Sequence, residues 1–188
     1  MNVSPGDCSD GELAALARGG SEQAYRELMQ RHRDPIYRIV RATIGNADEA
    51  LDIVQESFAS AFSALGRYDA DRPFRTWLSR IAINKCRDWA RRRTVRSFFT
   101  RAVPLDQVGD LVDEATNPEL ATDSRLRLQR VMAQIATLPF KLRSPLVLHA
   151  IDGHSHAAIA EILGISPKAV ETRIYRARKA LLPGVAPE

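Results

Sequence analysis

Basic and hydroxyl side chains recur in segment 168–179, and they are of the types that contact nucleic acid. Lysine and arginine neutralise phosphates, and a threonine hydroxyl can serve a base or a phosphate. On a helix these side chains project away from the apolar face. They are Lys168, Thr172, Arg173, Arg176 and Lys179. Their types and spacing therefore predict a surface that binds nucleic acid.

A helix-turn-helix is the element that must position these side chains. Its first helix has an apolar face formed by Ile159, Ile162 and Leu163. Gly164 supplies the turn, because a residue without Cβ tolerates a positive φ. Ser166 is a suitable N-cap, and Pro167 stands where a missing N–H costs nothing. The second helix buries Val170, Ile174, Ala177 and Leu181. This geometry places side chains in a major groove, but an ordinary helix pair with a solvated basic face fits the same pattern.

Charge is strongly segregated along a chain of 188 residues with a formal net charge of +4. Between Arg72 and Arg101 there are ten basic residues and one acid, Asp88. Between Pro104 and Asp123 there are six acids and no base. A basic balance suggests a polyanionic partner, and the segregation indicates segments with different partners.

Other chemistry has little support in the sequence. The two cysteines, Cys8 and Cys86, lie far apart and in no ligand spacing, which favours a reducing compartment. His149, His154 and His156 cluster near Asp152, but they lack a recognised metal-ligand spacing. The chain has no signal sequence and no run of about 18 apolar residues. We therefore expect a cytoplasmic protein with no metal and no cofactor.

Helical periodicity runs through most of the chain, and no β pattern of any strength is present. We predict an all-α protein with two small helical domains, 9–99 and 124–183, joined by a flexible acidic linker over 100–123. Residues 1–8 are predicted to be a disordered tip. A capping box at Ser9 begins the first helix, and Asn46 caps a later one.

Prolines and glycines set the other expected helix boundaries. Pro35 is predicted to start a separate helix, and Gly66 to end the helix that begins after Asn46. Pro139 is predicted to break the chain, and Pro145–Ala150 to belong to another short helix. A long helix is expected over 74–98. One face of the helix after Asn46 is expected to pack in the core. Its residues are Ala50, Leu51, Ile53, Val54, Phe58, Ala61, Phe62 and Leu65.

Two blocks of this sequence resemble the extracytoplasmic-function (ECF) sigma factors, the two-domain initiation subunits of bacterial RNA polymerase. The first block is Ala47–Leu65 followed by Arg72–Arg93, and the second is Leu138–Leu182. Their order, their spacing and the acidic stretch between them make the combination specific. The resemblance implies that the chain directs transcription from promoters with −10 and −35 elements and is not an enzyme.

The resemblance assigns the first domain to the polymerase and to the −10 element. An outward face with Asp52, Gln55 and Glu56 would dock on the clamp helices of the β′ subunit. Loop 66–73 and the helix after it would capture single-stranded DNA. The groups available there are Tyr68, Asp69, Asp71, Arg72 and Asn84, with Arg75, Arg80 and Arg87 as phosphate contacts. Trp77 is open between stacking beside the melted duplex and packing in the core.

In the second domain the resemblance implies contacts with the −35 duplex and the β flap. Glu171, Thr172, Tyr175 and Arg176 match positions that face the DNA, and Arg176 can donate two hydrogen bonds to a guanine. Lys168, Arg173, Arg178 and Lys179 are expected to hold the DNA backbone. Glu171 would either accept from a cytosine amine or repel phosphate. The linker would thread toward the active-site cleft, or else be a solvated spacer.

The family is usually inhibited by an anti-sigma factor, often bound to the membrane, so the resemblance implies such a partner and a possible hold at the membrane. A second interpretation is a dimeric helix-turn-helix transcriptional regulator, which needs a symmetric apolar interface and a palindromic site. An enzyme with a DNA-binding tail is a third. It has little support, because the sequence shows no paired catalytic carboxylates, no Ser/His/Asp order and no phosphate-cradling glycine loop.

Overall fold

The computed structural model of the protein describes residues 5–100 and 123–182, with side chains described for 6–96 and 127–182. Within these residues the regular structure is entirely helical, as the periodicity predicts. The α-helices are α1 (Asp10–Arg18), α2 (Glu22–Ile44), α3 (Ala47–Ser63), α4 (Phe74–Thr100), α5 (Asp123–Thr137), α6 (Phe140–Ala150), α7 (His156–Leu163) and α8 (Pro167–Leu181). We call α1–α4 the first helical group and α5–α8 the second.

Side-chain caps fix the beginnings of several helices. The Ser9 hydroxyl accepts from the Glu12 backbone N–H while the Glu12 carboxylate accepts from the Ser9 N–H, so the predicted capping box is confirmed. The Asn46 side chain accepts from the Glu49 N–H at 2.9 Å, which confirms the predicted cap of α3. Each cap satisfies a backbone donor that the helix itself leaves unpaired.

Pro35 lies inside α2, so the prediction that it starts a separate helix is wrong. An internal proline removes one backbone hydrogen bond and typically costs about 3 kcal/mol. Packing on both sides of the proline opposes a break. Leu28 and His32 before it, and Ile36 and Ile39 after it, are buried on the same helix face. The continuous apolar face therefore outweighs the local preference.

The inner face of α3 is narrower than the sequence predicts. Leu51 and Phe62 are 45% and 47% exposed, while Ile53 and Phe58 are buried. The predicted inward list covered too wide an arc of the helix. Gly66 does not end this helix either: α3 ends at Ser63, and Gly66 lies in a short 3-10 helix, Leu65–Arg67.

The remaining boundaries concern α6, the first residues of the chain and the predicted linker. Pro139 separates α5 from α6, and α6 contains residues 145–150, so both predictions are confirmed; α6 itself begins at Phe140. Residues 5–7 form a 3-10 helix and Cys8 is buried, so the predicted disordered tip is wrong for them. The guanidinium of Arg31 holds this segment by donating to the carbonyls of Gly6 and Cys8. Apart from its two end residues, the predicted linker 100–123 lies outside the described residues.

The two helical groups pack against each other. α7 lies against α4, and α6 lies against α2. Leu13, Leu28, Ile36 and Leu78 are fully buried in the first group, as are Leu148, Ile159 and Val170 in the second. No described helix is long and apolar enough to cross a membrane.

Candidate nucleic-acid interface

The helix-turn-helix is built as its sequence predicts. Ser155 caps α7, and Gly164 ends it in the left-handed region with φ of 65°. Ser166 caps α8 by accepting from the Ala169 N–H, and Pro167 is its first residue. Val170, Ile174 and Ala177 are buried against the rest of the second group. The opposite face of α8 is consequently exposed to solvent.

The outward face of α8 carries the predicted DNA contacts. Tyr175 is 68% exposed, and Arg176 and Lys179 are also exposed. The Lys168 ammonium donates to the Glu171 carboxylate at 2.8 Å, and this hydrogen bond lowers the pKa of Glu171. The Thr172 hydroxyl donates to the Lys168 carbonyl at 2.9 Å. Arg173 is half-buried at the edge of this face. The surface is therefore mixed in charge rather than uniformly basic.

Loop 68–73 is ordered by its own polar groups. The Tyr68 hydroxyl donates to the Arg72 carbonyl at 2.7 Å, and the Asp71 N–H donates to the Asp69 carboxylate at 3.1 Å. The rings of Tyr68 and Trp77 have their centroids 5.2 Å apart, and Phe74 lies 5.4 Å from Trp77. This aromatic cluster fixes the loop to the first turn of α4.

A cavity of about 540 Å³ opens between this loop, α4 and α7. Its volume lies in the usual range for a small-molecule pocket. It is lined by Ala64, Arg67, Tyr68, Asp69, Arg72, Thr76, Trp77, Arg80, Ile81, Asn84, Glu161 and Ile162. Trp77 is half-buried, packs in the aromatic cluster and also lines the cavity. The two roles considered for it, packing in the core and stacking beside the melted duplex, are therefore compatible.

Further cations extend along the exposed side of α4. Arg80 and Arg87 are exposed, and the Arg87 guanidinium donates to the Asn84 side-chain oxygen at 3.2 Å. The Arg91 guanidinium donates to Asp88 at 3.1 Å. The geometry brings Tyr68, Asp69, Arg72, Trp77, Arg80 and Asn84 together around the cavity, while Arg87 lies further along the helix. Arg75 stands apart from the cavity lining.

Arg75 and Arg72 instead contact acids of the second helical group, which the sequence analysis did not anticipate. The Arg75 guanidinium pairs with the Asp152 carboxylate and also donates to the Asp152 carbonyl at 3.2 Å. The Arg72 guanidinium pairs with the Glu161 carboxylate on α7. The two pairs are separated by 77 and 89 positions in the sequence, so no short-range pattern could link their members.

Asp152 is the most enclosed of these groups. Its side chain has no exposed surface, and its carboxylate also lies 2.6 Å from His154 Nε2. Burial acts to raise the pKa of Asp152, but hydrogen bonds from His154 and Arg75 outweigh burial and hold the pKa below its usual value. Ser79 Oγ of α4 lies 3.4 Å from the same histidine nitrogen. Asp152 and His154, considered above as metal ligands, thus form a contact between the α6–α7 turn and α4.

Among the residues with described side chains, no group of three or more metal-ligating residues converges on one point. The rings of His149 and His156 pack with centroids 5.1 Å apart, and His149 Nδ1 lies 3.3 Å from the His154 carbonyl.

The predicted docking face of α3 is exposed. Asp52, Gln55 and Glu56 point to solvent, and the Glu56 carboxylate lies 3.5 Å from the Lys85 ammonium. Leu51 and Phe62 share this side of the helix, as its periodicity requires. The face therefore combines acids with exposed apolar groups.

Two family models match the chain. Residues 28–96 match the model for Sigma-70 region 2, and residues 128–181 match the model for Sigma-70, region 4. The first match spans most of α2 to α4 with loop 68–73. The second spans most of α5 and all of α6–α8.

Curated relatives align with nearly the whole chain. The RNA polymerase sigma factor CnrH of Cupriavidus metallidurans is 39% identical over 176 residues, which are 92% of this chain and 92% of the relative. The ECF RNA polymerase sigma factor SigW of Bacillus subtilis is 34% identical, and the alignment covers 86% of this chain and 89% of SigW. The ECF RNA polymerase sigma-E factor of Escherichia coli K12 is 32% identical, with 95% of each chain covered.

Solved structures give the same result for the fold. CnrH in complex with the cytosolic domain of CnrY is 35% identical, with a TM-score of 0.67 over 92% of this chain and 94% of that chain. The sigma factor RpoE of Bartonella quintana, in complex with the anti-sigma factor NepR, has a TM-score of 0.66 at 18% identity. It covers 84% of this chain and 93% of its own, and its likeness is one of fold alone.

Proposed function

The chain belongs to the ECF sigma factors of bacterial RNA polymerase, and we propose how its residues divide the work of promoter recognition. It binds core polymerase and promoter DNA and directs transcription initiation. We assign core docking and the −10 element to a domain of residues 9–99, and the −35 element to a domain of residues 124–183.

The outward face of α8 is the observation that carries the proposal for the −35 element. Arg176 reads base edges by donating two hydrogen bonds to a guanine, and Glu171, Thr172 and Tyr175 face the groove beside it. Lys168, Arg173 and Lys179 neutralise phosphates on either side. Because Lys168 is paired with Glu171 in the free protein, the two separate when phosphate arrives.

The cavity beside loop 68–73 accepts one unstacked base of the −10 element. Its aromatic wall of Tyr68 and Trp77 and the amide of Asn84 supply the stacking and hydrogen bonds that a flipped base requires. Asp69 and Arg72 present acceptor and donor groups at the rim. Arg75, Arg80 and Arg87 hold the strand by its phosphates.

Asp52, Gln55 and Glu56 dock on the β′ clamp helices. Their exposure and the neighbouring apolar side chains of Leu51 and Phe62 support this assignment. Charged groups there fix the orientation of the complex more than its affinity. The second domain in turn contacts the β flap.

We also propose an anti-sigma factor as partner, because the 35% identical CnrH has been solved with the cytosolic domain of CnrY. The protein acts in the cytoplasm, without catalysis of its own, a metal or a cofactor. A membrane-bound inhibitor would hold it at the membrane. The alternative, a dimeric transcriptional regulator, is disfavoured because residues 28–96 match Sigma-70 region 2 rather than a sensory domain.

The test is transcription from a promoter library with core polymerase plus wild-type, Arg176→Ala or Lys179→Ala protein. Arg176→Ala should relax preference at one −35 base pair by about 1–3 kcal/mol, because a bidentate contact is lost. Lys179→Ala is the matched control for charge: it should weaken all promoters alike and reduce the salt dependence. The proposal fails if both variants lower all promoters equally, or if the wild-type protein selects no start sites.

A further inference from the structure

The first turn of α1 lies beside loop 68–73. α1 packs on α2 and on the short 3-10 helix Leu65–Arg67, which leads into the loop. A Cβ atom added to Gly11 would lie 3.5 Å from the Cβ atom of Ala70, which is an ordinary contact distance. α1 precedes residue 28, where the match to Sigma-70 region 2 begins. A segment in front of region 2 therefore borders the loop that lines the proposed base pocket.

Asp10, the first residue of α1, binds two side chains of α2. One of its carboxylate oxygens lies 2.7 Å from His32 Nε2, and the other accepts from the Arg31 guanidinium at 3.2 Å. Because an ionised carboxylate only accepts, His32 Nε2 carries the proton of this hydrogen bond. Arg31 also donates to the Glu27 carboxylate at 2.8 Å. These contacts fix the start of α1 at one position on α2.

His32 connects Asp10 to the aromatic cluster beside the pocket. The His32 side chain retains 9% of its exposure, and its ring centroid lies 5.2 Å from that of Phe74. The Phe74 ring is buried and meets the Tyr68 ring edge-on, with centroids 5.2 Å apart. Tyr68 belongs to the loop and lines the pocket. Contacts thus run without a gap from α1 to the pocket, and we call Asp10, His32, Phe74 and Tyr68 the brace.

The hydrogen bond to Asp10 sets the orientation of the His32 ring. The second ring nitrogen, Nδ1, is buried and has no hydrogen-bond partner among the described residues. Loss of the Asp10 carboxylate would therefore leave a buried imidazole with neither nitrogen satisfied, which is costly. Asp10 also acts on the far end of the brace. Burial raises the pKa of the Tyr68 phenol, and the charges of Asp10 and Asp69 raise that pKa further.

The loop has little support of its own. Residues 69–73 are exposed, and Tyr68 at the start of the loop is half-buried. Segments with few buried contacts open more easily than the rest of a fold. A pocket wall that is in place before a base arrives avoids the cost of ordering that wall on binding. Support from α1 should therefore favour capture of the base.

We propose that Asp10 and His32 are positioning residues for base capture, which hold Phe74 and Tyr68 in place and so keep loop 68–73 ordered beside the pocket. The inference rests on the proposed role of this pocket at the −10 element. Neither Asp10 nor His32 lines the pocket, so both act through Tyr68. The lack of a long side chain at Gly11 lets the loop approach α1.

Four substitutions test the brace. His32→Leu keeps apolar packing on Phe74 but cannot donate to Asp10, whereas His32→Gln can still donate from its amide nitrogen. Asp10→Ala removes the acceptor, and Gly11→Leu places a long side chain beside the loop. Circular dichroism verifies folding. If His32→Leu unfolds the first helical group, the partly exposed positions 10 and 11 carry the test.

Hydrogen exchange of the full chain, followed by mass spectrometry, measures the order of the loop directly. The Tyr68, Asp71 and Arg72 amides are hydrogen-bonded within or beside the loop and exchange only when it opens. His32→Leu, Asp10→Ala and Gly11→Leu should speed their exchange about two- to tenfold, the equivalent of one net hydrogen bond. Exchange in α8 should not change. His32→Gln should exchange as wild type does.

Fluorescence anisotropy then measures DNA binding by holoenzyme assembled from core polymerase and the full chain. The probe is the single-stranded −10 region of a promoter that the wild-type protein selects from the library. His32→Leu, Asp10→Ala and Gly11→Leu should lower affinity for this strand about three- to tenfold, since the pocket wall is no longer ordered in advance. Affinity for a duplex that carries the −35 element alone should stay at the wild-type value.

Two matched controls accompany these variants. Glu22→Ala removes one negative charge, as Asp10→Ala does, from an exposed acid at the start of α2 that is paired with Arg26. Gly11→Ala adds only the Cβ atom, which fits beside Ala70. Both controls should match wild type in loop exchange and in affinity for the strand. A loss in Glu22→Ala as large as that in Asp10→Ala would overturn the proposal, because it would reflect net charge alone.

Three other outcomes also overturn the brace. The first is unchanged loop exchange in all three disruptive variants. The second is faster exchange in the loop and in α8 alike, which would mean a general loss of stability. The third is a faster-exchanging loop with unchanged affinity for the strand. Failure of the proposed function is seen separately, as unchanged strand affinity in Asn84→Ala, and loop exchange then still shows whether α1 orders the loop.

Discussion

The arginines of α4 and those of α8 have the same proposed partner but different surroundings. Arg176 projects into solvent from the outward face of α8, and the opposite face of this helix is buried. Arg75, near the start of α4, is bound to an enclosed carboxylate from the other helical group. Arg176 is presented to solvent, whereas Arg75 is occupied by an acid of the protein itself. DNA that binds Arg75 must therefore replace the Asp152 carboxylate, whereas DNA that binds Arg176 meets an exposed side chain.

The difference follows from where each arginine stands in the fold. α8 is the last described helix, and it buries Val170, Ile174 and Ala177 while its outward face stays exposed. α4 packs on α2, α3 and α7, so its exposed positions border a second surface. A cation at such a border can be satisfied internally. Charge in the sequence thus indicates a nucleic-acid surface without indicating which part of it is available.

The sharpest test of this comparison removes one arginine from each helix. Arg75→Ala should lower the free energy of unfolding by about 1–3 kcal/mol, because it leaves the enclosed Asp152 carboxylate with His154 as its remaining partner. Arg176→Ala should change it by less than about 0.5 kcal/mol, as an exposed residue does. Urea unfolding followed by circular dichroism measures both. Equal losses in the two variants would contradict the distinction between the helices.

Low pH should weaken the interaction between Arg75 of α4 and the Asp152 carboxylate. Since the pKa of Asp152 is lowered in the folded protein, its carboxylate stabilises the fold at pH values above its unfolded pKa, near 4. This contribution is lost as the pH falls through the folded pKa. Unfolding of wild type and Asp152→Asn at pH 6 and pH 3 measures it. The stability difference between them should shrink at pH 3, by less than the full effect of Arg75→Ala.

A constant difference between pH 6 and pH 3 would mean that the ionised form of Asp152 gives no stability. The same pair of proteins serves as its own control, because Glu12 and Glu171 also have lowered pKa values in the fold and titrate in both. Their contributions cancel in the difference.

Local signals predicted the helix-turn-helix almost completely. Ser166, Pro167 and Gly164 act through nearest-neighbour backbone effects, which a sequence exposes directly. Pro35 shows the limit of this approach, because the packing of Leu28 and Ile39 on either side of it overrides the local preference. The width of the buried face of α3 likewise depended on what α3 packs against, and Leu51 and Phe62 were misassigned for that reason.

The candidate site divides in the same way. Spacing on one helix indicated Arg176 and its neighbours. The family resemblance indicated Asn84, Tyr68 and Trp77, and these three residues line one cavity. Asp152 and Glu161 were not anticipated as partners of Arg75 and Arg72, because they meet these arginines only through packing of distant helices. Asp152 lies beside three histidines in the sequence, and that neighbourhood fitted no metal site and gave no sign of an arginine partner.

The smallest expected effect concerns the one ion pair on the outward face of α8 among the described side chains. Glu171→Gln should release Lys168 for phosphate and raise affinity for random double-stranded DNA about two- to fivefold, because the exposed pair is worth about 0.2–1 kcal/mol. Glu22→Gln, which breaks the exposed Glu22–Arg26 pair, is the matched control and should leave affinity unchanged. Anisotropy at two salt concentrations measures both. If Glu171→Gln has no effect, Lys168 meets phosphate without leaving Glu171, and the α8 face needs no rearrangement at all, which would widen its contrast with α4.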